Sequence, residues 1–356
     1  NVFDKLPLLT LTKPSQVSFN AEFANLVAGH YENEYTGGYS YLDDFESTQS
    51  GMDLLNPYAW SLASTPYEDG VDAKFPEASR VNDISYGSNR ALLAWYTVDG
   101  IFTRKNSSSR PRHLTPDDLS KHETRGVGYK EIYPNKELGT NDNTTLSVLN
   151  LAFYPNQRGP YNLDAERINP DGSLSEPEKR WGGIMRKIEP SDLESANYEY
   201  IEFWLMDPYL DKPAAEGGDL YFNLGELSED ILKDEKKFFE NGLPVDGDMS
   251  KVDTTIWGKV PRIQSTGYAF DANNRKLQDV GLNGLSTDEE LSFPTYVEYL
   301  DKLRAKLSGE TIARMMEDPF SPFNDPAGDN YHYYRGEDYD LQQLSVLERY
   351  KRYNGT

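Results

Sequence analysis

Through the middle of the chain, apolar and polar positions alternate in short runs set between turn-rich segments, a pattern that predicts strands. Candidate strands are YSYLDDFES (39–47), YAWSLAST (58–65), ALLAWYTV (91–98), TLSVLNLAFYP (145–155), WGGIMRKI (181–188), YEYIEFWLMD (198–207) and DLYFNLG (219–225). The run at 91–98 is apolar on both faces. The run at 198–207 is more unusual. Ile201, Phe203 and Leu205 share one face and Tyr200, Trp204 and Met206 the other, with only Glu202 interrupting. The Pro/Ala/Gly loop at 213–218 favours antiparallel pairing of the last two runs.

Period-3.6 patterns come mainly at the end of the chain. SEDILKDEKKFFEN (228–241) opens on a serine N-cap and first-turn acids and predicts a helix. Residues 292–318 predict two helical stretches around Gly309, and 340–353 a third, with Leu344, Leu347 and Tyr350 on one side. Strands in the middle and helices late predict a mainly β fold. The expected organisation is an N-terminal extension (1–37), a β-sandwich (38–290) with a long loop at 99–144, and a helical extension (291–356) packed on the sandwich. Within the loop, the basic, Ser/Pro-rich segment 103–123 reads as an exposed insertion with a short helix capped near Thr115; a recognition loop is the alternative. No internal repeat is evident.

Composition changes the picture in three ways. Hydrophobic residues are 37% of the 356, but aromatics are 13%, with 25 tyrosines, so the core leans on large side chains with polar tips. The net charge of -23 disfavours nucleic acid and anionic membrane surfaces as partners, since both need clustered Lys/Arg. With no cysteine, disulfides, thiolate metal sites and cysteine nucleophiles are excluded. No apolar run approaches the ~20 residues of a membrane-spanning helix. The first residues do not read as a signal peptide, so an envelope protein is expected here as a mature chain or a piece of a longer one.

Six stretches carry a family resemblance in sequence order. They are DDFESTQSGMDLLNPYAWSLASTP (43–66), LNLAFYPNQRGPYNLD (149–164), RWGGIMRKIEPSDLESANYEYIEFWLMDPY (180–209), GGDLYFNLGELSEDILKDEKKFFENGLP (217–244), QDVGLNGLSTDEE (278–290) and DPAGDNYHYYRGEDYD (325–340). Together they resemble the SprA/Sov family, the outer-membrane translocon of the type IX secretion system, also known from gliding motility. Members are several times longer and form a very large β-barrel. This chain lacks the repeated alternating segments of about ten residues that mark barrel strands. The resemblance therefore implies a soluble insertion domain at the cell outer membrane. It would belong to an extracellular cap, with periplasmic placement as the alternative. Implied partners are the rest of the translocon barrel, other secretion-system subunits and exported cargo proteins. The segment around 192–207 also resembles the inner strand of galactose-binding-like jelly rolls; this resemblance implies a jelly-roll topology for the sandwich at 38–290 and makes a carbohydrate-binding module of a surface protein the second reading. On the sandwich picture Trp204 is buried core; on the second reading Trp204 and Tyr200 form a sugar-stacking platform.

No catalytic, cofactor-binding or metal residue is assigned, and the chain is expected not to be an enzyme. His30, His113, His122 and His332 fit no standard ligand spacing, although His113 and His122 flank Asp117, Asp118 and Glu123. A structural calcium is conceivable at three acidic turns: Asp44 with Glu46, Asp246 with Asp248 and Asp253, and Asp325 with Asp329 and Asn330. Turn chemistry explains each as well. Paired carboxylates of a glycosidase are weighed and set aside, because so many acids make coincidental pairs common.

Overall fold

The computed structural model describes residues 31–32, 39–40, 52–68, 70, 73–104, 107–140, 142–188, 198, 200–210, 217–236, 242–244, 246–263 and 280–354. The chain divides into two compact units, Asn1–Gly51 and Met52–Thr356. In the first, strands β1 (Tyr31–Glu32) and β2 (Tyr39–Ser40) pair antiparallel. The remainder of the candidate strand at 39–47 lies outside the described residues.

The second unit corrects the expectation of a mainly β jelly roll. Of the described residues 25% are helical and 13% strand, and the sheets among them are all two-stranded. The longest ladder joins β4 (Ala91–Tyr96) to β7 (Asn150–Arg158), antiparallel, with a register shift between Ala91 and Leu92. Short pairs complete the set. They are β3 (Ser61–Leu62) with β8 (Ile184–Met185), β5 (Val127–Gly128) with β6 (Thr145–Leu146), and β9 (Val252–Thr254) with β10 (Lys259–Pro261). The run at 198–207, expected as the central strand of a sandwich, forms no ladder among its described residues, and neither does 219–225. Alternation predicts an extended backbone; it cannot supply the neighbouring strand that turns extension into a sheet.

β4 shows why its run is apolar on both faces. Successive side chains point opposite ways. Trp95 enters one core with Tyr161, Trp257, Tyr296, Tyr299 and Leu300. Ala94 and Tyr96 enter a second core with Phe102, Leu114, Val346 and Tyr350. In that second core the Tyr96 and Tyr350 rings stack at 4.1 Å. Two buried arginines stitch the loops around β4. Arg90 donates to the carbonyls of Pro160, Ala63 and Ile231. Arg180 donates to the carbonyls of Ser88 and Arg167 and to Asp164.

Short helices α1 (Gly100–Thr103), α2 (Pro116–Ser120) and α3 (Tyr129–Ile132) occupy the long loop. α2 opens on the expected cap: Thr115 and Asp118 form a reciprocal capping box. α4 (Thr287–Glu290) is followed by α5 (Pro294–Lys306) and α6 (Gly309–Glu317), the two stretches expected around Gly309, with Ser308 capping the second. α5 turns Tyr296, Tyr299, Leu300 and Leu303 into the first core. The predicted helix at 340–353 is instead two, α7 (Glu337–Leu341) and α8 (Val346–Tyr350), broken at Gln343, whose φ is 54°. The helix predicted at 228–241 does not form over its described part. Asp230 accepts the backbone N–H groups of Asp234 and Glu235, and Lys233 and Glu235 take positive φ. Local side-chain bonds of this kind compete with the helical ladder.

Candidate functional site

The turn DPAGDN, weighed above for calcium, becomes one wall of a buried carboxylate cluster. Asp325 and Asp329 project from it, and Glu290 reaches them from the end of α4. One carboxylate oxygen from each lies within 4.8 Å of the others, and all three side chains are buried. Gly281 makes room: with φ at 60° it brings its backbone so close that a Cβ would stand 2.1 Å from the Asp329 carboxylate.

Each acid is held by donors. Glu290 Oε1 accepts from Asn283 Nδ2 at 2.7 Å, and Oε2 from the Ala327 N–H at 3.0 Å. Asp325 accepts from the N–H groups of Gly328 at 2.9 Å and Asn330 at 3.4 Å. Asp329 Oδ2 accepts from the Tyr161 hydroxyl at 2.8 Å, and that hydroxyl accepts the Leu282 N–H at 2.7 Å. The Arg158 guanidinium sits behind the turn, donating to the carbonyls of Asp325 and Pro326.

Burial dominates the electrostatics. It pushes Glu290 up to about 7, with the charge of Asp325 adding and the hydrogen bonds and Arg158 opposing. Asp329 lies well above the usual carboxylate range, first through burial and then through the charges of Glu290 and Asp325. Asp325 is raised by burial and partly relieved by Arg158 and Arg352. Near neutrality the trio therefore retains protons, because three close carboxylates out of water do not ionise together. Chemically the cluster can share protons or, once ionised, present three hard oxygen donors to a cation. Glu290, Asp325 and Asp329 are the residues that would hold one. The hydrogen-bond pattern points to architecture: the cluster ties the 325–330 turn to α4 and to the 281–283 segment.

The other candidates are dispersed. Asp118 is held far below the usual carboxylate range, by hydrogen bonds from Thr115 and then Lys121. His113 contacts the Leu344 carbonyl at 3.0 Å, and His122 Nε2 is buried. His332 faces Asp338 at 3.0 Å. Asp246 and Asp248 both engage Lys251, while Asp253 binds Lys236 and Arg262. Those acids are already matched by cations, so the calcium expectation there loses its motive. His30, Asp44 and Glu46 lie outside the described residues. Glu290 was missed by sequence reasoning; beside its neighbour Glu289, which completes the Ser286 capping box, nothing in the sequence marks it out.

Trp204 overturns its expected burial. It is 73% exposed and Tyr200 is 79% exposed, in a stretch where Ile201, Phe203 and Leu205 are exposed as well. The expected cover by C-terminal helices is absent from this segment.

No curated protein matches the chain. No helix among the described residues is long and apolar enough to cross a membrane. Residues 298–356, which run from α5 through α8 and supply Asp325 and Asp329 of the cluster, match the SprA N-terminal family, described as motility related/secretion protein.

Proposed function

We propose that the chain is a non-enzymatic part of a type IX secretion outer-membrane translocon, exposed outside the barrel as a cap that contributes to protein export and gliding motility. The observation that carries this reading is the match at 298–356 to motility-related secretion proteins. The packing supports treating the matched part and the rest of Met52–Thr356 as one working unit. Tyr299, Leu300, Leu303 and Phe323 from the matched region share a core with Trp95 and Tyr161 from far upstream. A role in covering and gating a pore needs a rigid body rather than a reactive centre, and the buried carboxylates and arginines serve rigidity. An acidic surface suits passage of cargo, because like-charged surfaces resist sticking. Its partners on this reading are the barrel, other secretion subunits and the cargo in transit.

The carbohydrate-binding alternative draws on the exposure of Trp204 and Tyr200. Aliphatic neighbours as exposed as Leu205, at 69%, fit a protein contact better than a sugar platform, which uses flat rings with polar surrounds. The test is in-frame deletion of residues 52–356 from the parent protein, with cargo export and outer-membrane permeability as readouts. Blocked export or a leaky barrier, with the barrel still inserted, is expected. Normal export together with an intact barrier overturns the cap, and glycan-array binding by the isolated chain would then favour the sugar module.

A further inference from the structure

We infer that the pocket beside the 107–113 loop binds a phosphate monoester through the guanidinium groups of Arg110 and Arg112. The inference is independent of the export reading.

The local sequence sets the charge. From Arg104 to His113 the chain holds four bases and no acid, inside a protein of net charge -23. Elsewhere arginines meet acids: Arg125 pairs with Glu131, Arg180 with Asp164, Arg262 with Asp253 and Arg304 with Asp301. Arg110 and Arg112 have no such partner among the described residues.

The fold holds the loop in place. Leu114 is buried in the second core with Val346 and Tyr350, and its N–H donates to the Pro111 carbonyl at 3.2 Å. His113 Nε2 donates to the Leu344 carbonyl at 3.0 Å. Pro111 fixes its own φ and restricts Arg110 before it. The two arginines therefore stand on an anchored turn, which lowers the cost of ordering them around a ligand.

The loop and the break between α7 and α8 border a cavity of about 380 Å³, where Arg110 and Arg112 meet Ser108, Ser109 and Gln343. Two guanidinium forks, two hydroxyls and an amide offer more donors than the two oxygens of a carboxylate can use. The three terminal oxygens of a phosphate suit them better. Among the described lining residues the single acid is Asp340, and it already accepts from the fully buried Arg349 at 2.6 Å. At physiological ionic strength the Debye length is about 8 Å, so charges lining the pocket outweigh the acids farther away. The cavity is larger than a phosphate, which leaves room for the group that carries it.

The experiment titrates the whole 356-residue chain with phenyl phosphate by calorimetry, with succinate as a carboxylate dianion and inorganic phosphate as a competitor. Saturable binding at one site is expected, weakening as salt rises and displaced by inorganic phosphate. Succinate should bind about tenfold more weakly or worse. Arg110→Gln with Arg112→Gln should lose affinity by a similar factor while melting like the parent chain; Arg110→Lys with Arg112→Lys keeps the charge without the fork and should fall between. Sedimentation with phosphatidylcholine vesicles doped with phosphatidic acid separates the sources. Co-sedimentation that the glutamine variant loses, together with phenyl phosphate binding, makes the ester a lipid headgroup; phenyl phosphate binding without co-sedimentation makes it a soluble molecule. Absence of saturable phenyl phosphate binding, unchanged affinity in the glutamine variant, or succinate bound as tightly as phenyl phosphate would each overturn the inference.

Discussion

Raising the pH from 5 to 8 should weaken the Met52–Thr356 unit, and the buried cluster sets the size of the effect. Glu290 titrates near 7 in the fold against an ordinary 4.5. At ~1.4 kcal/mol per tenfold change, that difference is worth about 3 kcal/mol. Because the folded-state pKa is raised, the stabilising contribution is complete below about 4.5 and disappears as the pH rises through about 7. Above that, the fold carries the whole penalty of a buried carboxylate beside Asp325 and Asp329. Stability should therefore fall by about 2–3 kcal/mol between pH 5 and pH 8. That is a large share of the ~5–15 kcal/mol of a typical domain. Asp234, also raised by burial and by Asp230, adds in the same direction. The assay is urea unfolding at several pH values, followed by the emission of the buried tryptophans Trp95, Trp181 and Trp257. Asp329→Asn isolates the cause. The amide oxygen can still accept from Tyr161, and the like charge is gone, so the variant should be more stable than the parent at pH 8 and show a shallower pH dependence. A parent profile that is flat or rises from pH 5 to 8, or a variant with the parent's slope, would refute the assignment of a proton-sharing cluster.

Other expectations follow from the same geometry. Asp164 accepts from Arg167 at 2.9 Å and Arg180 at 3.0 Å with both the aspartate and Arg180 buried, so Asp164→Asn should cost about 3–5 kcal/mol in urea unfolding by stranding the arginine. Although burial alone would raise it, Asp164 is lowered overall by the Arg167 N–H and Arg180, so its contribution is present above the ordinary aspartate range and fades only as the solution is made strongly acidic. Gly281→Ala should destabilise by at least ~2 kcal/mol, since it combines a left-handed backbone with a Cβ driven into Asp329; a melting temperature equal to the parent's would contradict that packing. Trp204→Ala should change stability by no more than about 0.5 kcal/mol, as for exposed sites, against the several kcal/mol expected of a core tryptophan.

How far the sequence could be read depended on whether the deciding interaction was local. The cap at Thr115, the break before Gly309 and the two-faced β4 are encoded within a few residues, and they are found as expected. Over its described part, 228–236, the predicted helix failed for a reason that is also local but was outweighed by periodicity: Asp230 and Asp234 draw in nearby N–H groups and bend the chain. The sandwich failed non-locally. Residues 198–207 have the composition of a buried strand, but burial needs a neighbour, and none of the described residues provides one. The cluster was half legible. Asp325 and Asp329 stood out as an acidic turn, whereas Glu290 joins them only through the fold, 35 residues upstream of Asp325. The family match falls on the helices at 298–356, and the sequence resemblance ran through the same region.

The proposed placement of the chain as an outward-facing part of an export machine is tested most directly by labelling intact cells. The sequence has no cysteine, so a single one introduced at Leu341, 86% exposed, or at Tyr58, 82% exposed, gives a unique target in this region. With a cargo-exporting parent protein carrying either substitution, a membrane-impermeant maleimide should react in intact cells as fully as after outer-membrane permeabilisation, and a bulky conjugate at either site should slow cargo export. Reaction at both sites only after permeabilisation, with export unaffected by the conjugate, would contradict the cap.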